Sequence, residues 1–415
     1  MRAILILDTS YTLKIIKKRN LYEALHARKL GGYFSKVISV HPLSGLNEGL
    51  RGRFGNPIIS KIDKQHLFVS GKIGVYKFLK LFPSINFILS QIKLIKFLYN
   101  LSIKYKVQII RVGDPYYLGL LGVILSKILK VPLAIRIGAN FDEIVKQTNK
   151  PIMKKLFKYR FIEKIIERFV LSRCNLVAAA NKNNANSAKK NGAKKELITI
   201  FKYGNLIHPC HWLNPKNRKI SKSLLSSIGL KNTIFVAIIA RLEIEKKVDS
   251  IIKACAKLKE KKYNVKFLII GDGSELQNLK ELSTKLGVNE KIIFAGNKDQ
   301  IWISKILPKA LAVLSPHGGR SLTESCLAAV PIVAYNHDWQ NEIIKNNRTG
   351  FLINDQNWTG FADKIIYIIK NKKRADRFGS NARKKILKIM NPEKLKKHEI
   401  FKYNQVIKKF KSKKF

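Results

Sequence analysis

Ile238-Ile-Ala-Arg-Leu-Glu-Ile-Glu-Lys246, then Val265-Lys-Phe-Leu-Ile-Ile-Gly-Asp-Gly-Ser274, then Ser315-Pro-His-Gly-Gly-Arg-Ser-Leu-Thr-Glu324, is the succession that decides the architecture of this chain. Each piece leaves a short apolar run through charged or glycine-rich residues and enters a helical pattern. After the first, Val248, Ile251, Ile252, Cys255 and Leu258 recur at helical spacing, so that helix buries one face against a sheet. Strand–helix–strand alternation of this kind builds parallel α/β sheets, whose ligands lie outside the carboxyl ends of the strands. Arg241 and Lys246 bring positive charge to such an end. Gly271, Gly273, Gly318 and Gly319 allow close backbone approach, and a helix opening at Arg320, Ser321 and Leu322 offers unsatisfied N–H groups. These residue types suit a diphosphate carrying a ribose.

Working outward, the same alternation continues over most of the chain. Strands are expected at Ala3–Leu7, Lys36–Val40, Val107–Val112, Leu133–Ile137, Leu176–Ala180 and Ile198–Phe201. Helices Leu21–Leu30, Tyr116–Leu129 and Lys154–Leu171 lie between them. A second set follows at Ile234–Ala240, Val265–Ile270, Lys291–Phe294, Leu311–Leu314, Ile332–Tyr335 and Phe351–Ile353. Two sheets imply two doubly wound domains. The turn-rich Asn214-Pro-Lys-Asn-Arg-Lys-Ile-Ser221 marks their boundary, giving residues 1–215 and 216–390. Residues 391–415 form a basic helix expected to pack back on the first domain.

Composition narrows the class. With 46% hydrophobic residues the chain is not disordered. Cys174, Cys210, Cys255 and Cys326 are far apart, which suits reduced thiols and a cytoplasmic protein. No leader is expected, because Met1 to Asp8 reads as a short strand followed by polar residues from Thr9, and no membrane span, because Lys127, Lys130, Pro132 and Arg136 interrupt the most apolar stretch. The formal charge of +53 attracts polyanions, or reflects a lysine-rich composition with most lysines solvated. Val75–Tyr105 interleaves aromatic and aliphatic residues with Lys77, Lys80, Lys93 and Lys96. It reads either as an interfacial helix on an anionic membrane or as a core helix with a basic outer face. Nucleic acid is not expected as a partner, since no nucleic-acid-binding motif appears.

Five ordered pieces carry a family resemblance: Ala240-Arg-Leu-Glu-Ile-Glu-Lys246, Ile270-Gly-Asp-Gly-Ser274, Phe294-Ala-Gly296, Leu322-Thr-Glu-Ser-Cys-Leu-Ala-Ala-Val-Pro331 and Arg348-Thr-Gly-Phe-Leu-Ile353. Together they resemble the donor-binding half of the family 4, or group 1, glycosyltransferases. That resemblance implies the GT-B fold, two Rossmann-like doubly wound parallel-sheet domains facing a central cleft. It also implies sugar transfer from a nucleotide-diphosphate donor to a saccharide or lipid-linked acceptor with retention, in cell-surface polysaccharide or glycolipid synthesis. The place of work would be the cytoplasm or the inner face of the plasma membrane. By the same resemblance Arg241 and Lys246 hold the diphosphate, no cofactor or metal is needed, and Glu324 takes the ribose hydroxyls. Ser321-Leu-Thr-Glu324 also fits a helix capping box, which would give that glutamate a structural task.

Three positions depart from the family pattern. Pro316 stands where the family carries a first glutamate, so His317 is the candidate for the donor sugar. If it does not serve, the chain is a nucleotide-sugar binding or scaffold protein with lapsed catalysis; a nucleotide-sugar epimerase is a third reading. Lys247 replaces the family's glycine and is expected to add charge beside the phosphates. In the first domain the family's histidine is missing, and Asp114, Asn140 and Asp142 are the candidates for acceptor contacts, each also plausible as a turn or cap residue. Trp339 and Glu342 follow a strand end, and Trp339 reads equally as a packing residue. His208-Pro-Cys-His211 lacks the further ligands of a metal site.

Overall fold

The computed structural model describes residues 2–18, 21–47, 50–218, 220 and 222–412. The chain forms two compact units, Met1–Lys202 with Glu393–Phe415, and Tyr203–Pro392. The first holds β1 (Ala3–Leu7), β2 (Lys36–His41), β3 (Ile58–Lys61), β4 (His66–Ser70), β5 (Val107–Val112), β6 (Leu133–Ile137), β7 (Leu176–Ala179) and β8 (Ile198–Ile200). Their spatial order is β3-β4-β2-β1-β5-β6-β7-β8, parallel except where β3 pairs antiparallel with β4. All five residues of β1 are buried, as befits a strand covered on both faces.

Alternate residues feed two cores. Leu5, Ile38, Ile110 and Ile135 face the helices Pro83–Lys104, Tyr117–Leu129 and Arg160–Arg173. Ile4, Ile6, Val37, Ile109 and Ala134 face the other way, where the helix Pro392–Ser412 closes the layer with Tyr403 and Ile407. Tyr403 is fully buried, edge-on to Phe34 at 5.7 Å and Phe201 at 5.6 Å.

The second unit holds β9 (Phe235–Ile239), β10 (Lys266–Ile270), β11 (Ile292–Gly296), β12 (Ala312–Ser315), β13 (Ile332–Tyr335) and β14 (Phe351–Ile353), in the order β11-β10-β9-β12-β13-β14. Renumbered from its own first strand this is 3-2-1-4-5-6, so the winding reverses between β9 and β12. A crevice opens at such a reversal. The first sheet reverses between β1 and β5.

Three expectations need correction. The division falls at Lys202/Tyr203 and not at 215/216, because the residues after Tyr203 are pinned to the second unit. His211 is buried with Nε2 2.9 Å from Gln300 Oε1, and the Arg218 guanidinium donates to the Leu213 and Leu327 carbonyls. Lys219 and Ser221, within the stretch read as the boundary, lie outside the described residues. The helix expected from Lys154 starts at Arg160, since the buried Glu163 carboxylate accepts the backbone N–H groups of Ile152 (3.1 Å) and Met153 (2.7 Å) and holds that segment as turns. The helix expected over Leu21–Leu30 is a short helix, Tyr22–His26, followed by a 3₁₀ turn, Ala27–Lys29.

Candidate functional site

The reversal point of the second sheet gathers most of the candidates. β9 runs into Ala240-Arg241-Leu242, and this loop is bound to the one after β10. Ala240 N–H donates to Ile270 O (3.1 Å), Leu242 N–H to Asp272 O (3.0 Å) and Glu275 N–H to Leu242 O (2.9 Å). Gly271 and Gly273 make that union possible. A Cβ on Gly271, at φ +143, would sit 1.8 Å from Ala240 O, and one on Gly273 2.3 Å from Leu242 O. Both glycines therefore serve loop-to-loop packing here.

On this platform Arg241 is largely exposed, with an ion pair to Glu245 at 3.2 Å. Lys246 points inward, its Nζ 3.3 Å from His317 Nδ1. Burial lowers the lysine pKa, opposed chiefly by Glu245. The imidazole of His317 is pushed down to about 3 by burial and by the Lys246 charge, so it is neutral at pH 7. Its Nδ1 lies 2.7 Å from Gly318 O, which places the proton on Nδ1. Lys246 is then a neighbouring charge and not a donor to that nitrogen, and Nε2 is left as an acceptor.

Past Pro316 and His317 the helix Arg320–Leu327 begins at Gly319 with no side-chain cap. The capping box does not form, because Ser321 lies inside the first turn. Neither glycine of the Gly318-Gly319 pair is left-handed, with Gly319 at φ 173. Gly318 is required for space, since a Cβ there would meet the Trp339 Nε1 at 2.9 Å. Leu322 is buried, and its N–H already closes onto Gly319 O at 3.1 Å, so it contributes packing. Glu324 is 6% exposed, with no hydrogen-bond partner among the described residues. Burial raises its pKa and the Arg320 charge partly offsets this. A buried carboxyl that makes no hydrogen bond within the protein has its oxygens available to accept them from a ligand.

Lys247 explains the family's glycine. It sits at φ +53, the left-handed region, and its Nζ reaches Asp355 Oδ1 at 2.6 Å. Its charge is thus committed to Asp355 and not added to the phosphate end, contrary to expectation. His337, whose Nδ1 is 3.3 Å from Asp355 Oδ2, has its ring 5.8 Å from that of His317. The sequence reading missed this Lys247–Asp355–His337 chain, because only the fold brings those segments together. Trp339 is a buried packing residue. Glu342 lies in the short helix Gln340–Ile343.

At the reversal point of the first sheet a cavity of about 250 Å³ is lined by Asp8, Ser10, Gly113, Asp114, Phe141 and Met153 among others. Asp114 caps the turn into the next helix, accepting Tyr116 N–H at 2.9 Å, and burial pushes its carboxyl up to about 7. Asp8 is held below the usual carboxylate range by Arg28 at 2.5 Å and by Ser10, against an opposing burial effect. The sequence reading missed Asp8. Asn140 is a helix N-cap, accepting Glu143 N–H at 3.4 Å. Asp142 does not line this cavity. Bonds from Asn191, Lys164 and Arg160 outweigh burial and hold it at about 2 within a structural network. Cys210 and the two histidines beside it bond locally and to Gln300, and no metal-binding cluster occurs among the described residues.

Residues 224–385 match the family glycosyl transferases group 1. Among curated relatives, N-acetyl-alpha-D-glucosaminyl L-malate synthase of Bacillus anthracis is 26% identical over 152 residues, 36% of this chain and 40% of the relative. Alpha-monoglucosyldiacylglycerol synthase of Streptococcus pneumoniae is 21% identical over 255 residues, 60% of this chain and 56% of the relative. The chain thus spans well under two thirds of these relatives' lengths. A crystal structure of Anabaena HepE in complex with UDP and glucose superposes with a TM-score of 0.73 at 16% identity, covering 97% of this chain and 99% of that one. This likeness shows the GT-B fold.

Proposed function

We propose that the chain, whose residues 224–385 match the group 1 glycosyltransferases and which has the GT-B fold, moves a sugar from a nucleotide-diphosphate donor to a saccharide or lipid-linked acceptor, with retention, in cell-surface polysaccharide or glycolipid synthesis. The observation that carries the reading is the convergence at one strand crossover of Lys246, a neutral His317, an uncapped helix N-terminus and a buried, unpartnered Glu324.

Each group has a task that its surroundings suit. Lys246, desolvated, and Arg241, exposed and held by Glu245, offset the diphosphate charge as the glycosidic bond to the leaving group breaks. The helix N-terminus takes a phosphate oxygen. Glu324 accepts the ribose hydroxyls, which supply the bonds its burial lacks. Nε2 of His317 accepts a sugar hydroxyl in place of the family's first glutamate. The two cationic side chains do this without a metal. The acceptor enters over the Asp8–Asp114 cavity, whose apolar and carboxyl walls suit a polyol. HepE's complexes with UDP and glucose and the lipid named in the pneumococcal relative lend support to the donor and acceptor classes.

Thermal melts across a panel of nucleotide sugars test the reading. A bound donor at about a hundred times its dissociation constant adds roughly 2.7 kcal/mol. No shift with any uridine, guanosine, thymidine or adenosine diphosphate sugar would sink it. Pro316 favours a second reading, nucleotide-sugar binding with lapsed catalysis. Tight binding with neither transfer nor hydrolysis in the presence of membrane extracts would select that alternative.

A further inference from the structure

The outer face of the first unit has the wrong polarity for water. The helix Pro83–Lys104 buries Leu94, Leu98 and Leu101 against the sheet, yet its opposite stripe, Ile85, Ile88, Ile92, Tyr99 and Ile103, is exposed and equally apolar. A surface helix ordinarily carries polar residues there. The turn before it adds Phe78 and Leu81, the latter 77% exposed.

The anomaly is not confined to that helix. Tyr117–Leu129 packs beside it and Arg160–Arg173 beside that, all over the same core. The middle helix exposes Ile124 and Ile128; the third exposes Phe161, Phe169 and Ile165, which is 64% exposed. Three neighbouring helices thus each present large apolar side chains to solvent.

Its charge is of one sign. Between Asp63 and Asp142 the only acidic residue is Asp114, which is buried. Lys77, Lys80, Lys93, Lys96, Lys104 and Lys127 are all exposed over that span. On the third helix the acidic residues turn inward, Glu163 to Arg160 at 2.9 Å and Glu167 to Lys164 at 3.2 Å, leaving Arg168 outside. Burying the acids and exposing the isoleucines is the reverse of what solubility favours.

We propose that this three-helix face is a docking surface for an anionic lipid bilayer, lying flat in the headgroup layer with its isoleucine and phenylalanine side chains in the acyl boundary and its lysines on lipid phosphates. Charge complementarity selects this occupant. Two copies of a chain of net charge +53, meeting through their basic faces, would repel. No helix among the described residues is long and apolar enough to cross the bilayer, so the attachment is lateral. The surface belongs to the first unit alone and stands whether or not sugar transfer occurs.

Co-sedimentation of the full chain with vesicles tests it, using phosphatidylcholine alone and phosphatidylcholine with about 30% phosphatidylglycerol. Binding is expected to the anionic vesicles only and to fall steeply as salt rises toward about 0.5 M. Ile88→Glu with Ile92→Glu should weaken it at least tenfold, and Ile165→Glu, two helices away, severalfold. Because these side chains are exposed, the variants should keep wild-type circular dichroism and the wild-type melting shift with nucleotide sugar. Equal binding to neutral vesicles, binding indifferent to the glutamates, or a dimer in sedimentation velocity that the same substitutions dissolve would each overturn the proposal. If Ile165→Glu alone leaves binding intact, the three-helix extent is wrong.

Discussion

The two reversal points of this molecule have the same topology and opposite chemistry. Each sheet changes winding direction beside its own first strand, between β1 and β5 in one unit and β9 and β12 in the other. The first opens on Asp8 and Asp114 with apolar walls; the second opens on Lys246, His317 and a helix N-terminus with Glu324 behind. Topology therefore supplies the crevice, and the residue following each strand decides which charge it holds. The proposed reaction would put phosphate at the second and uncharged hydroxyls at the first.

Removing the charge that makes the second crevice basic gives the largest expected effect. Lys246→Ala should lower turnover about 100-fold, as loss of one stabilising group at developing charge typically does, with circular dichroism unchanged. Arg241→Ala, exposed and paired with Glu245, should cost less. Wild-type turnover in both would dissolve the contrast between the crevices.

Glu324→Ala should come next, weakening nucleotide binding about tenfold through lost ribose bonds while raising the melting temperature of the unliganded protein. That rise follows from the sign of the pKa shift. A carboxyl raised by burial stabilises in its protonated form and destabilises once ionised. Calorimetry of nucleotide binding beside melts of the free protein would separate the two, and a destabilised apo variant would show that Glu324 has a structural partner.

Asp114→Asn probes the first crevice. The Asp114 carboxyl titrates at about 7, above its usual range near 3.9, so its stabilising contribution is complete below about pH 4 and lost as pH rises through 7. Wild type should therefore lose stability relative to Asp114→Asn between pH 4 and 8, with acceptor KM changing and donor KM constant. Parallel pH profiles would mean the carboxyl is already ionised at pH 4.

Ser321→Ala should do least, within about 0.5 kcal/mol, since Ser321 caps nothing. A loss near 1 kcal/mol in urea unfolding would restore the capping box and give Glu324 a structural share.

Periodicity makes most of this fold legible in the sequence alone. Buried parallel strands such as Ala3–Leu7 and Phe235–Ile239 are short apolar runs ending at turn residues, and only a sheet interior demands that pattern. β3 escaped because it is an edge strand with mostly exposed residues and no alternation to detect. Arg160, Glu163, Glu167 and Asp142 form a network by tertiary contact alone, so Asp142 passed for a site residue. Lys246 and His317 were legible as site candidates, being fixed by the strand ends that precede them. The roles of the glycines were half legible: close approach was readable, but not that the neighbour of Gly271 is Ala240 and that of Gly318 is Trp339.

The helix Pro392–Ser412 closes the first unit from the far end of the sequence, with Tyr403 sealed between Phe34 and Phe201. On the ribosome the order of manufacture is then not the order of completion. Domains generally fold as units while the chain emerges, yet one layer of the first unit lacks its cover until residues 203–392 have been made. The second unit has all its strands in one continuous run and can mature while the first still waits, its β1, β2 and β5 side chains open on one side. A nascent chain stalled before residue 393 would expose Ile4, Ile6 and Ile109 to chaperones, though these residues leave the tunnel long before the helix that covers them.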